Sequence, residues 1–191
     1  MNTILNEFFL VTIRGRFAYS ICCIENAIEV MDKEGLEWFE VFEFLWLYPT
    51  ANEIRDLGLW HENESEFIPF CVLEDLPYGK KMFDHLTEEK YLRLQKIYNK
   101  CNPIICELID ITAWIGIQDL YGGVRNGSPT TLKYLGEVIE IMNKLKIPLP
   151  DKEFFKQFSY PLNPKSDWEV WGDRIPIEIL KQRSKWIGNV L

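Results

Sequence analysis

Histidine is nearly absent: His61 and His85 are the only two among 191 residues. The side chain that most often moves protons near neutral pH is thus available at two positions, and neither stands in a motif. His61 lies beside Glu62 in an acidic stretch and His85 follows Asp84, so both read as ordinary surface or partly buried histidines. The residues three before them are Gly58 and Met82, which excludes the Glu-x-x-His pairs of a di-metal helical bundle. Closely spaced Cys and His pairs, the mark of a zinc site, are also missing. Cys22 and Cys23 are adjacent, and Cys101 and Cys106 stand apart from any histidine. Together with Cys71 they make five, an odd number without a framework, as expected for reduced core thiols in a cytoplasmic protein. No metal or other cofactor is expected.

Long uncharged apolar runs are lacking too. The stretch from Ile104 to Tyr121 contains Glu107, Asp110 and Asp119, too costly for a lipid-facing helix, so no membrane partner is expected. The N-terminus has no basic region before its apolar residues and is broken by Glu7, so it does not read as a secretion signal. Bases are outnumbered, with 21 Lys and Arg against 29 Asp and Glu, a net charge of -8. That balance argues against nucleic acid as the partner. Residues 25–75 hold 14 acids and only Lys33 and Arg55 as bases, so all of the excess charge lies in this stretch.

What is present is enough to fold. A 47% hydrophobic content over this length supports one core, and we read residues 1–191 as a single helical domain. Apolar steps of three and four predict a helix over residues 16–34, ended by Gly35. A second, nearly all-apolar helix is predicted from Leu36 to Tyr48, stopped by Pro49. Residues 49–86 have weak periodicity and read as irregular, with a short helix near Asn52 to Leu57 and an extended piece around Phe67 to Leu73. Further helices are predicted over 88–100 behind the cap Thr87, 104–121, 129–145 behind Ser128, and 151–158 behind Asp151. The stretch 159–175 reads as loop, and Pro176 opens a last helix ending near Trp186. Gly122, Gly123 and Gly127 lack the spacing of a phosphate-binding loop and follow a helix, so they read as a helix-to-helix turn. The expected fold is all-α, a single-domain irregular helical bundle with long loops.

Within the acidic stretch, Glu37, Glu40 and Glu43 advance by threes and form one band on the second helix. Such a band is either the solvated face of a core helix or a site where a basic partner relieves the repulsion. In the second case Trp38, Tyr48 and Trp60 are the anchors, and Glu62, Glu64 and Glu66 form a second acidic group. A rival reading is an enzyme or ligand-binding protein, with an aromatic pocket holding Glu107 or Asp110 beside Trp114. A third is a scaffold that self-associates through exposed aromatics.

Residues 130–177 carry an ordered set of short motifs. A helix leads to Ile147-Pro148-Leu149-Pro150-Asp151, then a short helix, Phe158-Ser159 and Trp171-Gly172, with Leu120-Tyr121-Gly122 ahead of them. This resembles the C-terminal pattern of small bacterial immunity proteins of polymorphic toxin systems. The match departs where Pro161 to Asp167 lengthen a loop and where Asp173-Arg174-Ile175 separate Trp171-Gly172 from the next proline. The resemblance implies a cytoplasmic antidote that binds a cognate protein toxin, often one acting on nucleic acid, and blocks it without catalysis. Trp171-Gly172 equally reads as a core tryptophan beside a tight turn.

Overall fold

The computed structural model describes residues 3–187, apart from the side chains of Thr3, Ile4, Ile54 and Glu64. After a short helix α1 (Thr3–Glu7), the chain enters α2 (Ile13–Met31), which starts three residues earlier than its apolar period predicts. The Thr12 hydroxyl sets that start by accepting the Gly15 N–H at 3.1 Å. The other end is set by Asp32 rather than Gly35. Its carboxylate accepts the N–H groups of Glu34 (3.0 Å), Gly35 (3.1 Å) and Leu36 (2.9 Å) and the Trp38 indole N–H (2.8 Å).

Next comes α3 (Phe39–Thr50), which runs through Pro49 instead of stopping before it. Proline is tolerated there because it stands in the last turn, whose carbonyls find partners elsewhere. The Pro49 carbonyl accepts the Ile175 N–H (3.0 Å) and an Arg14 guanidinium N–H (3.4 Å), and Arg14 also donates to the Ala51 carbonyl.

The segment 49–86 is more helical than expected: the short helix predicted near Asn52 to Leu57 is the start of α4 (Ile54–Glu64), a 3-10 turn follows at Ser65–Phe67, and α5 (Pro69–Val72) stands where an extended piece is predicted. α4 is mostly polar, carries Gly58, and buries only Leu57 and Trp60 among its described side chains. Its apolar period is therefore faint, although Glu53 and Asp56 form a reciprocal capping box at its start.

From there α6 (Glu88–Lys100) matches its predicted span. α7 (Pro103–Ile117) stops short of Tyr121 because Gln118 is extended and Asp119 takes a positive φ of 62°. α8 (Pro129–Lys144) follows its Ser128 cap, and α9 (Lys152–Phe155) continues as a 3-10 turn to Phe158. The predicted loop 159–175 contains α10 (Asp167–Trp171), and α11 (Ile177–Leu180) is shorter than its predicted run to Trp186.

The result is an all-α domain in which α2 is the central rod, packed by α3, α7 and α8. Among the described residues the only strand-like feature is one antiparallel bridge, Val11 with Ser159. None of the helices among the described residues is long and apolar enough to cross a membrane.

The C-terminal motif residues close on the start of α2. Thr12 N–H donates to the Phe158 carbonyl (2.9 Å) and Tyr160 N–H to the Leu10 carbonyl (2.8 Å). Gly172, at φ 86°, passes so near Thr12 that a Cβ there would lie 2.6 Å from the Thr12 Cβ. Only glycine satisfies both conditions.

Candidate functional site

The acidic band does not stand free. Glu37 precedes α3 and is exposed, but Glu40 meets the Arg93 Nε at 2.5 Å and Glu43 the Lys90 Nζ at 3.6 Å. Two of the three predicted contact acids are therefore neutralised by α6 across the seam with α3. The expected aromatic anchors belong to the core. Trp38, Tyr48 and Trp60 are all buried, and the Trp60 indole N–H donates to the Phe44 carbonyl at 2.7 Å. Tyr48 stacks on Phe17 at 4.2 Å, and Trp60 meets both rings edge-on, at 5.0 Å from Tyr48 and 5.5 Å from Phe17. Gly116 of α7 lets that helix press against all three rings.

In the second acidic group, Glu62 is exposed and forms no ion pair among the described residues, and the Glu64 side chain lies outside them. Glu66 serves the fold: its carboxylate accepts the N–H groups of Asp84 (2.8 Å), His85 (3.0 Å) and Leu86 (2.8 Å). We expect Glu66→Ala to destabilise the domain by about 1–3 kcal/mol. Amide exchange should rise at residues 84–86, which a urea titration with exchange readout measures.

A different surface gathers chemistry. α7 turns Ile105, Leu108, Ile109 and Ala113 inward, which leaves Glu107, Asp110 and Trp114 along its outer line at steps of three and four. α5 lies across that line, and the Phe70 N–H donates to the Asp110 carboxylate at 2.9 Å. Phe70 itself stays 70% exposed, Leu73 is exposed beside it, and Trp114 is 38% exposed one turn along from Asp110. Beyond the end of α7, Tyr121 is 72% exposed and its hydroxyl is hydrogen-bonded to His61 Nδ1 at 2.8 Å. Pro69, Phe70, Leu73, Glu74, Cys106 and Asp110 line an open cleft of about 320 Å³.

Asp110 has no cation beside it among the described residues, and Glu74 in the same cleft carries the same charge. The nearby Lys81 is already engaged, donating to the carbonyls of Cys71 (2.8 Å) and Val72 (2.9 Å) and lying over the Tyr91 ring. Burial raises the Asp110 carboxyl from an ordinary 3.8 to about 6, against the opposing pull of the Phe70 N–H.

The sign follows from linkage. Because the folded value is the higher one, stability from this group is full below pH 3.8 and is lost as pH rises through about 6. Asp110→Asn keeps an acceptor for the Phe70 N–H and removes the charge. We expect it to raise stability at pH 7 by about 1–2 kcal/mol, discounted for partial exposure. The loss of stability between pH 4 and 6 should flatten, as read from urea midpoints across that range.

Larger clefts elsewhere are differently built. One of about 500 Å³ lies between the α2–α3 turn and α6, where Glu34, Glu37 and Phe39 face Arg93, Lys96 and Lys100. Another, of about 430 Å³, lies beside Ser159, Trp168, Gly172 and Arg174. Among the described residues, no three His, Cys, Asp or Glu side chains gather in a way that holds a metal ion. The rival sequence reading sets Glu107 or Asp110 beside Trp114 in an aromatic pocket; the structure places all three on the outer line of α7, and of them Asp110 alone lines the cleft with Phe70. Phe70 carries no sequence signal of its own, and Tyr121 stands out only within Leu120-Tyr121-Gly122. Family models, curated proteins and solved structures were all compared with the chain, and none matches it.

Proposed function

We propose that this protein is a non-catalytic inhibitor of the immunity type, which binds a basic cognate protein toxin stoichiometrically in the cytoplasm. The observation that carries the reading is the largely buried carboxylate of Asp110, with no cation beside it among the described residues, next to the exposed Phe70 and Trp114. An arginine or lysine from a partner would supply the missing cation in a partly desolvated cleft, where a charge pair counts for more than on open surface. The aromatic side chains around it are of the kind that dominates interface energetics. The acid excess over residues 25–75 favours a basic partner and fast association, and a nuclease-like toxin with a cationic cleft fits that charge. The motif resemblance of residues 130–177 points to the same class.

The test is to mix the purified chain with the product of the gene immediately upstream and follow the pair by size-exclusion chromatography. A one-to-one complex that weakens as salt is raised toward about 1 M supports the reading. No co-elution, with no toxin-like neighbouring gene, overturns it. The free chain should elute as a monomer, which separates this reading from self-association through the same aromatics.

A further inference from the structure

At the corner between α6 and α7, Asn102 caps α7 and Pro103 fills its first position. Cys101 is then the residue before the cap and Cys106 the fourth residue of the helix. Helices commonly place two apolar side chains at these positions, where their contact fixes the angle of the entering chain. Here the pair is two thiols, with their sulfurs 3.3 Å apart. Both sulfurs also approach the Tyr98 carbonyl, at 3.6 and 3.8 Å. Each residue keeps a sliver of exposure, and Cys106 lines the open cleft of Asp110 and Phe70, which gives a small oxidant its way in.

We propose that Cys101 and Cys106 are a redox modification site at which hydrogen peroxide closes a reversible disulfide across the first turn of α7. The Cys101 thiolate attacks one peroxide oxygen: an S–O bond forms, the O–O bond breaks, and the departing hydroxide takes a proton to leave as water. Cys106, giving up its proton, then attacks the Cys101 sulfur. The S–S bond forms, the S–O bond breaks, and the second oxygen leaves as water with that proton. Two thiols are oxidised and one peroxide is reduced to two waters.

Cys101 is suited to the first step because the Cys106 thiol donates to it and draws it below its ordinary range, while Cys106 is held up. Closing 3.3 Å to the roughly 2.05 Å of a disulfide needs only a small side-chain adjustment. Cys22 and Cys23 differ in being consecutive in the middle of α2, with burial holding both thiols well up, and Cys71 is also held up, to about 11.

The experiment treats the full chain with hydrogen peroxide, alkylates the remaining thiols, digests with trypsin and weighs peptide 101–125, which holds both residues. The expected result is a peptide without alkyl groups and lighter by two hydrogens, which regains two alkyl groups after dithiothreitol. Cys71→Ser should leave this unchanged, and Cys106→Ser should abolish it. A peptide that stays doubly alkylated, or one that gains oxygen without losing hydrogens, would overturn the proposal.

Discussion

Replacing Arg16 with methionine is expected to cost about 3–5 kcal/mol of stability. Arg16 is fully buried in the first turns of α2, and among the described residues no carboxylate forms an ion pair with it. It donates instead to the carbonyls of Phe8 (3.3 Å), Phe9 (2.8 Å), Gly127 (2.9 Å) and Ser128 (3.1 Å) and to the Thr131 hydroxyl (2.7 Å). The four carbonyls come from two turns, and the Thr131 hydroxyl from the first turn of α8. The chain leaves α1 through one, and the other takes positive φ at Asn126, Gly127 and Ser128 before α8 begins. Neither turn has a ladder to satisfy its carbonyls, so one planar fork gathers them. Burial lowers the guanidinium to about 10, which still leaves it charged at neutral pH. Methionine fills much of the volume and leaves the carbonyls unpaired. Lysine restores the charge but not the fork, so Arg16→Lys should recover less than half of the loss. Urea unfolding of the two variants beside the parent chain measures both effects.

The second large effect is expected on binding. Asp110→Lys should weaken the complex with the upstream gene product by about 100-fold or more, because it places a cation where the partner's cation belongs. Phe70→Ala should weaken it by about 10- to 100-fold, as removal of a central aromatic does. Phe70 is mostly exposed, so its loss should leave the free domain stable. Glu43→Ala, which breaks a surface pair with Lys90, should change affinity by no more than about 3-fold. A pH series adds a sign. The Asp110 carboxyl titrates near 6, so pairing with a cation should release a proton and tighten binding between pH 5 and 7. Isothermal titration calorimetry reads all four quantities.

The helices that announced themselves were those whose ends carry their own chemistry. Thr87 with two acids behind it fixed α6, and Ser128-Pro129 fixed α8. Only the start of α4 is legible, as the short helix near Asn52 to Leu57, because Gly58 and a polar face hide the rest of a helix that buries only two of its described side chains. Pro49 misled because its tolerance depends on Arg14 and Ile175, both distant in the chain. The same distance explains the site. Glu40 and Glu43 looked free because Arg93 and Lys90 lie about fifty residues onward, and no local pattern couples them. Trp60 looked like an anchor because Glu62 and Glu64 follow it closely in sequence, whereas its neighbours in space are Phe17, Tyr48 and Gly116. Asp110 was visible as an acid on an apolar helix, but its meeting with Phe70 exists only once α5 folds across α7.

The partner is expected to dock on the face made by α5 and α7. Amide hydrogen exchange of the chain, free and bound to the upstream gene product, tests it most directly. Protection is expected over residues 68–76 and 107–121, with the α3–α6 seam unchanged. Protection confined to the seam, or to residues 158–176 around the C-terminal motifs, would contradict it.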